Sequence, residues 1–246
     1  MKEKRTVAIT GAASGVGRAL SYAFAAAECN VVLADIADAS FIAKEINASG
    51  GDAFYIPCDV AKRADVDSMV EAAVERYQSI SLLVNNAGVF PFSDIESIED
   101  ETLDRVFSVN VKGPFMASRA VVPYMKAKGG GRIINIGSST FFCGLENASA
   151  YVASKGALIG MTRALATELG RDNIQINTVT LGLTKTEGVL ASGVNEEFFD
   201  QFSARQCLKE TIFPEDIVDL VVFLGIGNTR FVTGQTINID GGLGFN

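Results

Sequence analysis

Tyr151 and Lys155 stand four apart in Y-V-A-S-K, inside a stretch with helical patterning. That spacing puts both side chains on one helix face. A free tyrosine ionises near ~10, and a cation held beside it favours the phenolate and lowers that value. The two residues then make a general acid and base without histidine. Taken alone, the same spacing also describes an ordinary amphipathic surface. The composition narrows the choice, because the chain contains no histidine. That excludes Ser-His-Asp and Cys-His hydrolases and His-based metal centres, and no metal is expected. Proton transfer near neutral pH falls to Tyr, Lys, Cys or shifted carboxylates. The four cysteines, Cys29, Cys58, Cys143 and Cys207, are far apart and form no CxxC. Each reads as a buried small hydrophobe.

A second group of residues points to an anionic ligand. T-G-A-A-S-G-V-G, Thr10 to Gly17, follows a short apolar run and precedes a helical pattern. Gly11, Gly15 and Gly17, with Ser14 and Val16 between them, let backbone approach a pyrophosphate at a helix N-terminus. A tight strand-to-helix turn is the plainer reading, and the position between strand one and helix one argues against it. Asp35 ends the next apolar run, 18 residues after Gly17. A carboxylate there accepts from both ribose hydroxyls of NAD and repels a 2′-phosphate. Neither Ser14 nor Ile36 is basic, so NAD is expected over NADP. Asp59 and Val60 follow the third apolar run and could edge the adenine, although Asp59 also suits a helix cap.

These residues need a frame. Seven short, nearly continuous apolar runs read as strands: 5–10, 30–35, 53–58, 81–86, 132–137, 174–179 and 236–240. Continuous hydrophobicity suits strands buried on both faces. Helical patterns lie between them at about 15–27, 38–48, 63–78, 97–127, 149–171 and 214–224. Strict alternation predicts a single α/β domain, a Rossmann-type doubly wound parallel sheet of about seven strands with helices on both faces. The length of 246 residues and an apolar fraction of 48% suit one large domain. The net charge of −8 argues against nucleic acid, and the basic start Lys2–Arg5 reads as a solvated lead-in. No apolar run approaches the roughly 20 residues of a membrane helix, and no cleavage site follows the N-terminus. A cytoplasmic location is expected.

With these motifs in order along nearly its whole length, the chain resembles the short-chain dehydrogenase/reductase family. The family's T-G-x-x-x-G-x-G is Thr10–Gly17, its N-N-A-G is Asn85, Asn86, Ala87 and Gly88, and its Y-x-x-x-K is Tyr151 and Lys155. Its catalytic serine falls on Ser138, 13 residues before the tyrosine, and its helix asparagine on Asn110. The resemblance implies an NAD-dependent oxidoreductase. Tyr151 would exchange the proton with the substrate oxygen, and Ser138 would hydrogen-bond that oxygen. Lys155 would lower the tyrosine pKa and hold the nicotinamide ribose, and Asn110 would steady a water on a proton relay. Asn86, Ala87 and Gly88 would line the cofactor. After the sixth strand, Leu181-Gly182 replaces the family's Pro-Gly. Gly182, Thr184 and Thr186 would meet the nicotinamide end, and losing the proline is expected to loosen that corner.

The resemblance is looser at the substrate end, where it points to aromatic or ring-bearing secondary alcohols and related aldehydes. Phe141 and Phe142, just after Ser138, are expected beside the reacting carbon. Phe90 and Phe92 follow N-N-A-G. Phe198, Phe199 and Phe202 suit either a pocket wall or the core side of a short helix. The strandless segment 183–213, which ends at Phe213, is expected to act as a lid. Apolar positions Val106, Phe107, Phe115, Met116, Leu158, Ile159 and Met161, together with the resemblance, suggest a homotetramer. The alternatives are a 3-oxoacyl-carrier-protein reductase, for which Asp35 and the acidic charge are ill suited, an epimerase or dehydratase with a larger C-terminal region, and a silent dinucleotide sensor, which would not need Asn110, Ser138, Tyr151 and Lys155 together.

Overall fold

The computed structural model describes residues 4–245; Lys2 and Glu3 of the basic start lie outside the described residues. The strands are β1 (Thr6–Thr10), β2 (Asn30–Asp35), β3 (Asp52–Pro57), β4 (Leu82–Asn85), β5 (Gly131–Ser138), β6 (Ile174–Leu181) and β7 (Thr236–Ile239). They form a seven-stranded sheet in the order β3-β2-β1-β4-β5-β6-β7, and every pairing is parallel. The expected doubly wound architecture is therefore the observed one. Strand order reverses between β1 and β4, and open α/β sheets place ligands beyond the carboxyl ends of strands at such a point.

Alternation along each strand explains the unbroken hydrophobicity. Val7 and Ile9 face a core shared with Leu20, Phe24, Ile217 and Val221. Ala8 between them faces the other layer, with Val66, Met69, Met116 and Val121. The first layer is built on α1 (Gly15–Ala26), α2 (Ser40–Ala48) and α10 (Glu215–Ile226), and the second on α3 (Arg63–Tyr77), α5 (Gly113–Ala127) and α7 (Ser149–Leu169). A buried polar seam fastens α7 to the sheet. The Asn85 amide donates to Asn135 at 2.8 Å, the Asn135 amide donates to Thr162 at 2.9 Å, and Thr162 and Thr178 share a hydroxyl bond of 2.7 Å.

Two expectations need correction, the single helix over 97–127 and the burial of all four cysteines. The helix expected over 97–127 is α4 (Asp100–Phe107), a π-helical turn at Ser108–Lys112, and α5. The break falls where the Asn110 side chain turns inward and is fully buried. Such wide turns concentrate at functional sites. The 183–213 segment contains α8 (Glu187–Ala191) and α9 (Glu196–Arg205), capped by Thr186 and Asn195 side chains. Cys29 and Cys58 are buried, whereas Cys143 and Cys207 are exposed, because they fall in the short helix α6 (Thr140–Cys143) and the loop after α9. Among the described residues, no helix is long and apolar enough to cross a membrane.

Candidate active site

The glycine turn is held from two sides. Gly11 donates its amide to Ala34 at 2.8 Å, and the Asn86 side chain donates to the carbonyls of Thr10 and Gly11 at 3.0 and 2.9 Å. The Thr10 hydroxyl accepts from the amides of Asn86 and Ala87, each at 3.1 Å. This is the physical use of the first N-N-A-G residues: they bind β4 to the end of β1. Gly11 has φ +68°, and a β-carbon on Gly17 would stand 2.0 Å from the Gly11 carbonyl oxygen, so both positions need glycine. Gly17 therefore serves helix–turn packing.

Beside this turn lies a cavity of about 450 Å³, lined by Gly11, Ser14, Gly15, Val16, Asp35, Ile36, Asp59, Val60, Asn86, Ala87, Gly88 and Thr186, among others. The Asp35 carboxylate is set in place by the amides of Ala13 and Ala37, both at 2.9 Å. Ile36 is 71% exposed at the rim. Asp59 accepts from the Ala61 amide at 3.0 Å, a turn bond before α3 and not a helix cap, since Lys62 is the residue that precedes the helix. Cys58 also lines the cavity, and burial pushes its thiol up to about 12, which removes it as a nucleophile. A glycine-walled channel with a ribose-height carboxylate fits a nicotinamide dinucleotide.

A second cavity of about 200 Å³ adjoins it, and Val16, Asn86, Gly88, Phe90 and Thr186 line both. Ser138, Thr140, Tyr151, Lys155, Gly182 and Thr184 line its floor. Ser138 sits at the end of β5, lines the cavity together with Tyr151, and its hydroxyl favours the Tyr151 phenolate. Thr140, one helical step on, shares a hydroxyl bond of 2.9 Å with Ser138. Burial pushes the Tyr151 phenol up, and the Ser138 hydroxyl draws it partly back. Lys155 is buried, donates to the Ile136 carbonyl at 2.9 Å, and is pushed down to about 8 by burial. Its Nζ is 5.6 Å from the Tyr151 ring centre. The expected lowering of the tyrosine by the lysine is thus not what the free protein shows. Burial acts on both groups, favouring the neutral form of each.

Asn110 lies behind the pair. Its amide exchanges two 2.8 Å bonds with the Val89 backbone and donates to Ser154 at 3.0 Å. Ser154 donates to the Tyr151 carbonyl at 2.7 Å. With its side chain committed to these partners, Asn110 ties the N-N-A-G loop to α7, a positioning role beyond the water contact that the resemblance implies. A β-carbon on Gly88 would stand 3.4 Å from Asn110 Oδ1 and 3.5 Å from Lys155 Nζ, so these two residues meet at the N-N-A-G loop. Ser154 was not legible as part of the site, because a serine inside a helix carries no signal of its own.

The substrate wall differs from expectation. Phe90, Phe92, Leu145, Val189, Phe198 and Phe202 line the second cavity, whereas Phe141 and Phe142 do not. The α6 turn carries Phe141 back over Gly156 on α7, where a β-carbon would meet its ring at 2.7 Å. Phe142 packs edge-on against Phe141, with ring centres 5.1 Å apart. Phe199 is core, at 1% exposure, so α9 divides its aromatics between core and cavity. Phe213 is exposed. Leu181, in the proline's place, is buried at the end of β6 and accepts from the Ser139 amide at 2.9 Å. That corner is also joined to β7, where the Gly182 amide donates to the Ile239 carbonyl at 2.8 Å.

Comparison with known proteins places this geometry. A family model described as enoyl-(acyl carrier protein) reductase matches residues 11–244. An uncharacterized oxidoreductase of Thermotoga maritima is 37% identical, covering 97% of this chain and 96% of its own. The short-chain dehydrogenase/reductase eriH of Hericium erinaceus is 36% identical, with 98% of each chain covered. The 3-oxoacyl-[acyl-carrier-protein] reductase FabG of T. maritima is 34% identical, again over 98% of each. A crystal structure of a candidate NAD(P)-dependent gluconate 5-dehydrogenase from Beutenbergia cavernae, with NADP bound at low occupancy, superposes with a TM-score of 0.92 at 33% identity, covering 97% and 96% of the two chains. The chain belongs to the short-chain dehydrogenase/reductase family.

Proposed function

We propose that the protein is an NAD-dependent dehydrogenase acting on the CH–OH group of an apolar, ring-bearing secondary alcohol, or on the corresponding carbonyl. The observation that carries this reading is the convergence of Ser138, Tyr151 and Lys155 on one cavity lining, at the junction of two cavities. One cavity is edged by the Asp35 carboxylate and the other is walled by Phe90, Phe92, Phe198 and Phe202. The cofactor, when bound, supplies the hydride acceptor or donor. In oxidation, Tyr151 must first give up its phenolic proton to solvent; the phenolate oxygen then takes the substrate's hydroxyl proton as the adjacent carbon gives up its hydride and the carbonyl forms. Ser138, oriented by Thr140, holds the substrate oxygen and stabilises its developing charge. Lys155 holds the charge balance of the pair. In reduction, each proton moves the other way.

Asp35 favours NAD because a 2′-phosphate would face a carboxylate fixed by two backbone amides. The apolar wall offers a sugar or polyol few polar partners, and unpaired hydroxyls are costly to bury. The test is a panel of cyclic, aromatic and polyol alcohols with NAD and NADP, read by absorbance of the reduced cofactor. Fastest turnover of apolar ring alcohols with NAD is expected. Turnover of 3-oxoacyl thioesters with NADPH in its place would redirect the reading to a carrier-protein reductase. Cofactor binding with no turnover of any alcohol or carbonyl would make the protein a sensor.

A further inference from the structure

Glu187 opens α8 and directly follows Thr186, whose hydroxyl caps that helix by accepting from the Val189 amide at 3.2 Å. Besides its own backbone amide, the Glu187 carboxylate has partners across the cleft. Its Oε2 accepts from the Gly15 amide at 3.3 Å, and its Oε1 pairs with Arg18. Gly15 begins α1, and Arg18 is one turn along. This is the positive end of the helix, where backbone amides and dipole favour an anion. Contact is close, for a β-carbon on Gly15 would stand 3.2 Å from Thr186 Cβ. Its own backbone amide, and then Arg18, hold the Glu187 carboxyl below the usual range.

The carboxylate therefore stands where the glycine turn is built to receive a phosphate. We propose that Glu187 is an internal competitor for the dinucleotide's diphosphate, fastening the 183–213 segment to α1 in the free protein until the cofactor displaces it. The inference rests on reading the glycine turn as a dinucleotide site. A diphosphate and a carboxylate facing one amide repel each other, so one must leave. Arg18 is then free to face the diphosphate. The pair is suited to displacement: its side chains are 37% and 57% exposed, and such pairs are screened and weak. The two ends of the segment are joined, with Thr184 bridged to Ile212 and the Lys185 amide donating to the Ile212 carbonyl at 2.8 Å. Release of Glu187 thus frees α8, which buries no residue of its own, while the base of the segment stays fixed and Phe199 keeps α9 in the core.

The test compares the wild-type protein with Glu187→Gln, which keeps shape and loses charge. Calorimetry measures affinity for NADH, ADP and adenosine, and hydrogen exchange follows 187–205 without ligand. The variant is expected to bind NADH and ADP about three- to tenfold more tightly, with adenosine unchanged because it has no phosphate. The gain is expected to shrink in high salt, and exchange in 187–193 is expected to quicken, with α9 unchanged. Equal or weaker binding of NADH and ADP by the variant, or unchanged exchange in 187–193, overturns the clasp. Failure of NADH and ADP to bind either protein overturns the dinucleotide reading, and the clasp with it.

Discussion

Lys155 Nζ donates to the carbonyl oxygen of Ile136 at 2.9 Å from a buried position. Burial lowers its pKa from 10.5 to about 8. In the unfolded chain the lysine keeps its proton up to its ordinary value, so between these two values the unfolded state binds more protons. Stability must then rise with pH across that window, while the full burial cost is present below it. Relative to Lys155→Met, the wild-type protein without cofactor is expected to gain about 3 kcal/mol between pH ~7.5 and ~10.5. Urea denaturation across that range measures it. Parallel pH curves for the two proteins would show that the lysine is not desolvated.

Tyr151 is half-buried, with its phenol raised by burial and drawn back by Ser138. Tyr151→Phe is expected to lower kcat by about 10²- to 10⁴-fold and to leave NADH affinity nearly intact, since only the transferable proton is lost. Ser138→Ala removes the hydroxyl that favours the phenolate. The alkaline rise of alcohol oxidation is then expected to move to higher pH, whereas a purely steric effect on substrate placement would leave it unmoved. Thr140→Val, which removes only the partner of Ser138, is expected to lie between Ser138→Ala and wild type. An unmoved profile in Ser138→Ala would separate Ser138 from the tyrosine.

The frame around these residues was legible because its signals are local. Seven apolar runs, their alternation with helical patterns, and the glycine turn each follow from backbone and burial within a few residues. The tetrad was legible by its motifs. What escaped reading depends on direction in space. Nothing near Phe141 tells that α6 turns its ring onto Gly156, and nothing near Phe198 tells that it faces the cavity while Phe199 faces the core. Asn135 sits in an otherwise apolar strand, and its partner Thr162 lies 27 positions away, so the seam that seats α7 leaves no periodic trace.

Asp35 is held by the Ala13 and Ala37 amides, each at 2.9 Å, so its charge cannot swing away from a 2′-phosphate. NADH is expected to bind about ten- to a hundredfold more tightly than NADPH. Asp35→Ser with Ile36→Arg removes the carboxylate and supplies a cation at the exposed rim, which is expected to close or invert the gap. Competition calorimetry with both cofactors measures it. Equal affinity in the wild-type protein would count against the ribose role.

Of the seven apolar residues expected at a subunit interface, Val106, Met116, Leu158 and Ile159 are buried within the chain. Phe107 and Phe115 remain 38% and 49% exposed. Exposed phenylalanines on neighbouring helices suit an assembly face, and a homotetramer stays the proposal. Light scattering is expected to give a particle larger than one chain, and Phe115→Glu to reduce it. A monomer at micromolar concentration would refute it.

Phe198 and Phe202 share one wall of the smaller cavity, with ring centres 4.9 Å apart. Phe90 faces Tyr151 edge-on at 6.3 Å from the other side, so a flat substrate at the Tyr151 hydroxyl would lie between aromatic surfaces. Removing one wall ring forfeits apolar contact on one face of a bound ring and little for a small aliphatic alcohol. Phe198→Ala is therefore expected to raise KM for ring-bearing alcohols about tenfold, with less than a twofold change for small ones. Phe202 is more deeply buried, so Phe202→Ala would mix pocket and stability effects, and Phe198 is the cleaner probe. Phe141→Ala and Phe142→Ala serve as controls, because neither ring lines the cavity. Steady-state kinetics on matched cyclic and aliphatic alcohols decides the matter. A KM effect in Phe142→Ala as large as that in Phe198→Ala would mean that the substrate reaches toward α6, and the assignment of the wall to α9 would fall.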